Sequence, residues 1–182
     1  VNHWEPRITR RLNRLKQMNV RAWLGVTAAT EHFTAIMAEH LLTHPASLAG
    51  AEPRLQTMWL WHASEEAEHR STAFDLYQAL GGNQRWRVRL FHVVTFHFCT
   101  DLLRQTVHNL WRDGSLWRAS TWVSGARFLF GRQGLVPMLA APWKDYRRPD
   151  FHPAQRENPL AGQWLATHTA DNSVVGASAV PG

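Results

Sequence analysis

Residues 61–69, WHASEEAEH, crowd three acidic side chains and two histidines into one short stretch of the sequence. Carboxylates and imidazoles are common ligands of iron, manganese and zinc, so this stretch could hold a metal ion. Two alternatives need no metal: a buried, hydrogen-bonded Glu–His pair, or a charged helix face in solvent. The side of the helix that carries these groups separates the three interpretations.

The stretch lies within a longer segment that predicts one helix, opened by Pro53 and closed by the Gly81-Gly82 pair. At about 100° of rotation per residue, Glu66 and His69 fall on one stripe with His62. The other members of the stripe are apolar: Leu55, Met58, Ala73, Leu76 and Leu80. A carboxylate on a core-facing stripe is costly unless it is paired or binds a metal. We therefore predict Glu66 and His69 as inward metal ligands, with His62 or Glu65 as a further ligand and Glu68 facing away.

A second segment, residues 20–42, shows a similar pattern. Its stripe has Glu31 at the centre, with small residues one turn away on each side, while His32 lies on the flank and Glu39 nearer the exposed side. The members of the stripe are Val20, Leu24, Thr27, Ala28, Glu31, Thr34, Ala35, Ala38 and Leu42. One helix thus offers a Glu and the other a Glu-x-x-His. This is half of the ligand set of a ferritin-like dimetal site.

Three segments together resemble a known family. TAATEHFTAIMAE, WLWHASEEAEHRSTAFDLY and YRRPDFHP at 146–153 are similar to the bacterial predicted metal-dependent hydrolases of the ferritin-like helical group. The resemblance covers most of residues 20–153. It implies that Glu31 corresponds to the third-helix carboxylate, and that Glu66 and His69 correspond to the fourth-helix Glu-x-x-His.

The family's upstream ligands, in a Gly-Glu segment and a Gln-Glu-x-x-His helix, have no counterpart in this sequence. The expectation is therefore the C-terminal part of a longer family member, or a truncated relative. A missing N-terminal half, or a homodimer about a two-fold axis, would complete the site. A lone monomer should then show an acidic open groove and exposed apolar side chains at Val20, Leu24, Leu55 and Leu76.

The predicted fold is all-α: an incomplete ferritin-like helical bundle with additional C-terminal helices and a disordered tail. Further helices are expected over 6–18, 85–111, 115–131 and 134–141. The helical metal-binding domain spans 1–148. A Pro-containing loop region with one weak turn follows at 149–168, and 169–182 form the small, polar tail.

Composition and charge restrict the cellular location and the kinds of binding partner. A lone cysteine, Cys99, an N-terminus without an apolar signal segment and the lack of a long apolar run favour a cytoplasmic protein. Residues 85–148 carry eleven Lys and Arg against three acids, together with five Trp. This mixture fits a peripheral contact with an anionic membrane, or an acidic or amphipathic small-molecule substrate. The alternative is Trp in the core with Arg at its rim. We predict no nucleic-acid partner, because no known binding motif accompanies the charge.

Three functions remain open at this point. The first is a metal-dependent hydrolase with a dinuclear carboxylate and histidine site, and the second is a ferritin-like di-iron oxidase or oxygenase. The third is a non-catalytic fragment with an incomplete site. Iron is the expected metal, with manganese or zinc as alternatives, and no catalytic residue stands out. We interpret His97 and Asp101 as part of a solvated or paired polar face, and His152 as part of a packed Pro-rich turn.

Overall fold

The computed structural model describes residues 5–156 and 159–172, without some side chains inside helices, those of Glu68 and His69 among them. These residues form α-helices and two short 3-10 turns and contain no strand, which confirms the all-α prediction. The helices are α1 (Glu5–Met18), α2 (Val20–Thr43), α3 (Pro53–His69), α4 (Thr72–Ala79), α5 (Gln84–Arg112), α6 (Ala119–Phe130), α7 (Leu135–Asp145) and α8 (Pro159–Asn172).

Helix α2 lies at the centre of the fold and packs against α3, α4, α5 and α7. It begins after Asn19, whose side chain accepts a hydrogen bond from the Arg21 N–H and separates α2 from α1. Small buried residues such as Ala28 and Ala29 let the neighbouring helices approach closely. The main core cluster combines small residues and Phe33 of α2 with aromatic rings from α4, α5 and the segment after α7. Its members are Ala28, Ala29, Phe33, Ala73, Phe74, Phe91, Tyr146 and Phe151.

The predicted single helix over 53–80 is wrong, because the chain breaks after the acidic motif. Helix α3 ends at His69, Arg70 and Ser71 form a turn, and α4 begins at Thr72. The closure by glycine is as predicted: Gly81 has a φ of +71°, in the left-handed region that favours glycine.

Of the apolar stripe on α3 and α4, Ala73 packs in this core, but the large side chains do not. Leu55 and Leu76 are 46% and 50% exposed, and Met58 and Leu80 are also exposed. Helix α3 instead buries Ala63, Ser64 and Ala67, because these small side chains seat it closely against Ala38 and Leu42 of α2. The expected exposure of Val20, Leu55 and Leu76 is confirmed, whereas Leu24 is half-buried against the main core.

The C-terminal region is more helical than the sequence predicts. Helix α7 continues through Pro142 to Asp145, and α8 replaces the weak turn expected after Pro159. Ala161 of α8 packs into the cluster formed by Ala38, Ala63 and Ala67, so tertiary contact stabilises a helix of weak local pattern. Residues 169–172 of the predicted tail belong to α8, and 173–182 lie outside the described residues.

Candidate metal centre

Glu31 faces the junction between α3 and α4. Its side chain is half-buried, and its Oε2 accepts a hydrogen bond of 3.3 Å from the backbone N–H of Ala73, in the first turn of α4. The positive end of a helix dipole favours a carboxylate at this position. The break after His69 therefore brings an N-terminal helix end to the one acidic residue at the centre of the α2 stripe.

Glu66 and His62 lie one turn apart on α3 and form a pair. His62 Nε2 is 3.6 Å from Glu66 Oε1, and the Glu66 side chain is 28% exposed. Both residues line a groove, together with Thr34, which follows Glu31 by about one turn of α2. Glu31 and Glu66 thus lie on the facing helices of one antiparallel helix pair.

The predicted convergence of Glu31, Glu66 and His69 stays a prediction, because the side chain of His69 lies outside the described residues. Glu65 is half-buried on the same helix. Among the side chains that the structure describes, no three His, Cys, Asp or Glu residues come together. The carboxylates of Glu31 and Glu66 and the imidazole of His62 are groups that bind divalent ions. The described side chains alone therefore make up only part of a metal site.

The groove beside Glu66 is apolar and has a volume of about 290 Å³. Its walls come from α2, α3, α5 and α6 and from the start of α7, and the main apolar side chains are Met37, Leu41, Trp59, Phe98, Phe128 and Leu135. Glu66 is the single acid among its described lining residues, so this groove is not itself the acidic groove expected for a lone monomer. The described lining also contains no Lys or Arg.

His40 adds a further polar group to the groove, and the sequence reasoning missed it. Its ring stacks on that of His44, with 4.7 Å between the centroids. Burial lowers the pKa of His40, and the neighbouring His44 lowers it further. The i, i+4 spacing of the two histidines was the signal that could have identified this contact.

A second group of polar side chains is buried in the aromatic core. His32 is 4% exposed, and its Nε2 lies 3.0 Å from the carbonyl oxygen of Pro142. Arg87 is also buried; it donates to the Arg148 carbonyl at 2.8 Å and stacks over the rings of Phe74 and Tyr146. His32 lies on the flank of the predicted α2 stripe, and it is buried because α7 and the aromatic core cover that flank as well.

Several other polar groups have structural partners. Arg11 Nη1 donates to Asp101 Oδ2 at 2.9 Å, which confirms the paired face that we predicted around His97 and Asp101. His152 Nε2 lies 2.8 Å from Asp75 Oδ1, and its Nδ1 accepts from the Ala154 N–H, as expected for a packed turn.

An ion-pair network that the sequence did not indicate joins α2 to the end of α7 and to Arg156, shortly before α8. Arg156 donates to Glu39 at 2.9 Å and to Asp145 at 3.2 Å. Glu39 is therefore half-buried and paired, rather than on an exposed side of α2.

The tryptophans of residues 85–148 mostly do not fill the core. Trp143 packs on Phe91 with 5.4 Å between the ring centroids, but the other four are exposed: Trp86, Trp111, Trp117 and Trp122. In the part of the chain that the structure describes, no helix combines the length and apolarity needed to cross a bilayer.

Fold and side chains together define an all-helical protein with carboxylate and histidine groups beside an apolar groove. Residues 1–157 match the model of a family described as predicted metal-dependent hydrolase, and the chain belongs to that family. Neither the curated proteins nor the solved structures gave a match. The family name implies a metal dependence, and the resemblance drawn from the sequence is confirmed at the level of the family.

Proposed function

We propose that this protein is a metal-dependent hydrolase that binds its metal through Glu31, Glu66 and His69, with His62 or Glu65 as a further ligand. The observation that carries the proposal is the position of Glu66. Its carboxylate is partly exposed in the wall of the apolar groove, 3.6 Å from the imidazole of His62. A substrate in the groove would therefore lie beside Glu66 and His62.

Iron is the metal that we propose, with manganese or zinc as alternatives, because the donors are carboxylate and imidazole. When bound, such an ion would polarise the scissile ester or phosphate and lower the pKa of a coordinated water. The chain's own contribution is positioning. His62 and Glu66 lie side by side in the wall of the groove, and the apolar walls exclude water from the bound substrate.

Three strong ligands are about half of what a dinuclear carboxylate centre uses. We propose that further donors complete the site, either from a second copy across a two-fold axis or from additional helices of the same polypeptide. An isologous dimer would present two copies of Glu31, Glu66 and His69 to one cavity. Size-exclusion chromatography during metal titration separates these routes, because only the first couples metal uptake to dimer formation.

Metal analysis of purified variants tests the ligand assignment. Glu31→Gln, Glu66→Gln and His69→Ala should each weaken metal binding by at least about tenfold, the scale expected even for groups that merely support a ligand. Glu68→Gln is the matched control, because the sequence places Glu68 on the opposite side of α3. Unchanged metal content and unchanged ester hydrolysis in the double variant Glu66→Gln/His69→Ala would refute the proposal.

A second function is favoured by one specific observation. A Glu on α2 opposite a Glu-x-x-His on α3 is the donor pattern of helical di-iron carboxylate proteins. Under this alternative, the iron-loaded protein would develop oxygen-dependent absorption bands and show no metal-dependent ester or phosphate hydrolysis. Hydrolysis that proceeds equally with zinc and without oxygen would exclude it.

A further inference from the structure

Helix α6 carries an apolar face that the described structure leaves open. Trp122, Val123, Ala126 and Phe130 recur at helical spacing on one side, and Phe130 is 66% exposed. None of the described residues of α6 is buried, and the helix packs mainly against α7. Phe128 is on the other side and lines the groove, so the open face is separate from the proposed substrate site.

The segment that contains this helix has a one-sided charge. Residues 114–144 include no Asp or Glu, and they carry Arg118, Arg127, Arg132 and Lys144. Arg118, Arg127 and Arg132 are exposed and bracket the apolar face at both ends of α6. The surface is therefore complementary to a negatively charged partner.

One exposed indole ring, that of Trp122, belongs to this face, and a second, that of Trp117, borders it. Trp117, immediately before α6, is 86% exposed. Trp122 is held in place because its Nε1 donates to the carbonyl oxygen of Leu116 at 2.8 Å. Tryptophan combines an apolar body with a polar N–H, and it is enriched where a bilayer meets water.

We propose that residues 117–132, called here the α6 surface, dock on the headgroup region of an anionic lipid bilayer. The helix lies in the plane of the interface, with Trp117, Trp122 and Phe130 entering the acyl boundary and the arginines meeting the lipid phosphates. A short amphipathic helix with aromatic anchors and exposed arginines has the composition of an interfacial helix. Docking there would bring the neighbouring groove, through Phe128, close to lipid-borne molecules.

Vesicle flotation of the intact chain tests the proposal, with phosphatidylcholine vesicles compared with mixed phosphatidylcholine–phosphatidylserine vesicles. Wild-type protein should bind the mixed vesicles more tightly, lose most of that binding at high salt, and show a blue shift of tryptophan emission. Arg118→Gln/Arg127→Gln/Arg132→Gln should weaken binding to the anionic vesicles on the order of 100-fold. Trp117→Ser/Trp122→Ser should abolish the blue shift.

The matched control is Arg54→Gln/Arg85→Gln/Arg89→Gln, which removes the same charge from exposed arginines outside the α6 surface and should leave binding unchanged. Circular dichroism verifies that every variant is folded. An equal loss of binding in both arginine triples, or equal binding to neutral and anionic vesicles, would overturn the proposal. So would concentration-dependent self-association that Trp122→Ser/Phe130→Ser abolishes without any vesicle binding, because the occupant would then be a second copy.

Discussion

The Nε2 atom of His32 lies 3.0 Å from the carbonyl oxygen of Pro142, although the two residues are 110 positions apart. The contact joins the central helix α2 to α7. The imidazole is packed between aromatic rings, with 4.7 Å to the Tyr146 centroid and 5.2 Å to that of Phe151. Donation to a carbonyl requires a proton on Nε2, so the neutral ring already satisfies this contact.

Stability should therefore fall in mild acid through His32. Burial lowers the pKa of His32 from its ordinary value of 6.5 to about 4, so below pH 6.5 the unfolded chain binds a proton that the folded protein does not. The contribution is fully present above pH 6.5 and is lost progressively as the pH falls toward 4. Between pH 7 and pH 4.5 the loss should be about 2 kcal/mol.

Urea denaturation of wild-type protein and of His32→Gln across this pH range isolates the effect. The variant keeps a side-chain donor for the Pro142 carbonyl but cannot titrate, so its free energy of unfolding should depend less on pH. Parallel pH profiles for the two proteins would show that His32 does not act in this way.

Gly25 should be intolerant of even one added methyl group. A Cβ atom there would lie 2.5 Å from Leu90 Cδ1 and 3.1 Å from Tyr77 Cε2, at the contact of α2 with α4 and α5. We expect Gly25→Ala to reduce the free energy of unfolding by about 1–3 kcal/mol. Gly162→Ala in α8 is the control, because a Cβ there meets nothing within 4 Å and should stabilise by up to about 1 kcal/mol. Equal changes in melting temperature for Gly25→Ala and Gly162→Ala would contradict the packing argument.

The groove should bind neutral esters with an acyl chain of medium length. Its 290 Å³ corresponds to roughly ten water-sized groups at about 30 Å³ each, and its described lining offers no cation for a carboxylate. Phe128→Ala should weaken binding of such an ester about fivefold to tenfold, measured by isothermal titration calorimetry. Phe130→Ala, two residues further along α6 and outside the groove lining, should bind as wild type does. A stronger effect at Phe130 would place the ligand elsewhere.

The helices themselves were largely predictable from sequence, whereas the packing was not. Pro45 follows the end of α2, and α5 lies between Gly82 and the Asp113-Gly114 pair, so the bounds of both helices agree with the pattern to within one or two residues. The break at Arg70 has no such marker in the sequence. It coincides with the tertiary contact between Glu31 and the Ala73 N–H.

The orientation of α3 shows why apolar periodicity predicted the wrong buried face for this helix. The periodic leucines of α3 and α4 are exposed, while Ala63, Ser64 and Ala67 make the contact with α2, because close helix approach depends on small side chains rather than hydrophobic ones. The burial of His32 and Arg87 was equally inaccessible from sequence. Their partners, Pro142 and Arg148, lie in distant segments, and no local pattern encodes such contacts.

The contact between Glu39 and Arg156 cannot form until late in the synthesis of the chain. The two residues are separated by 117 positions, and translation adds about 5–20 residues per second. Roughly 6–23 s therefore pass between the synthesis of Glu39 and that of its partner, and α7 with the Pro142 carbonyl arrives only shortly before Arg156. Until then the side of α2 that carries His32 has no cover from α7, so the nascent chain must pass through a period in which its central helix is the least protected.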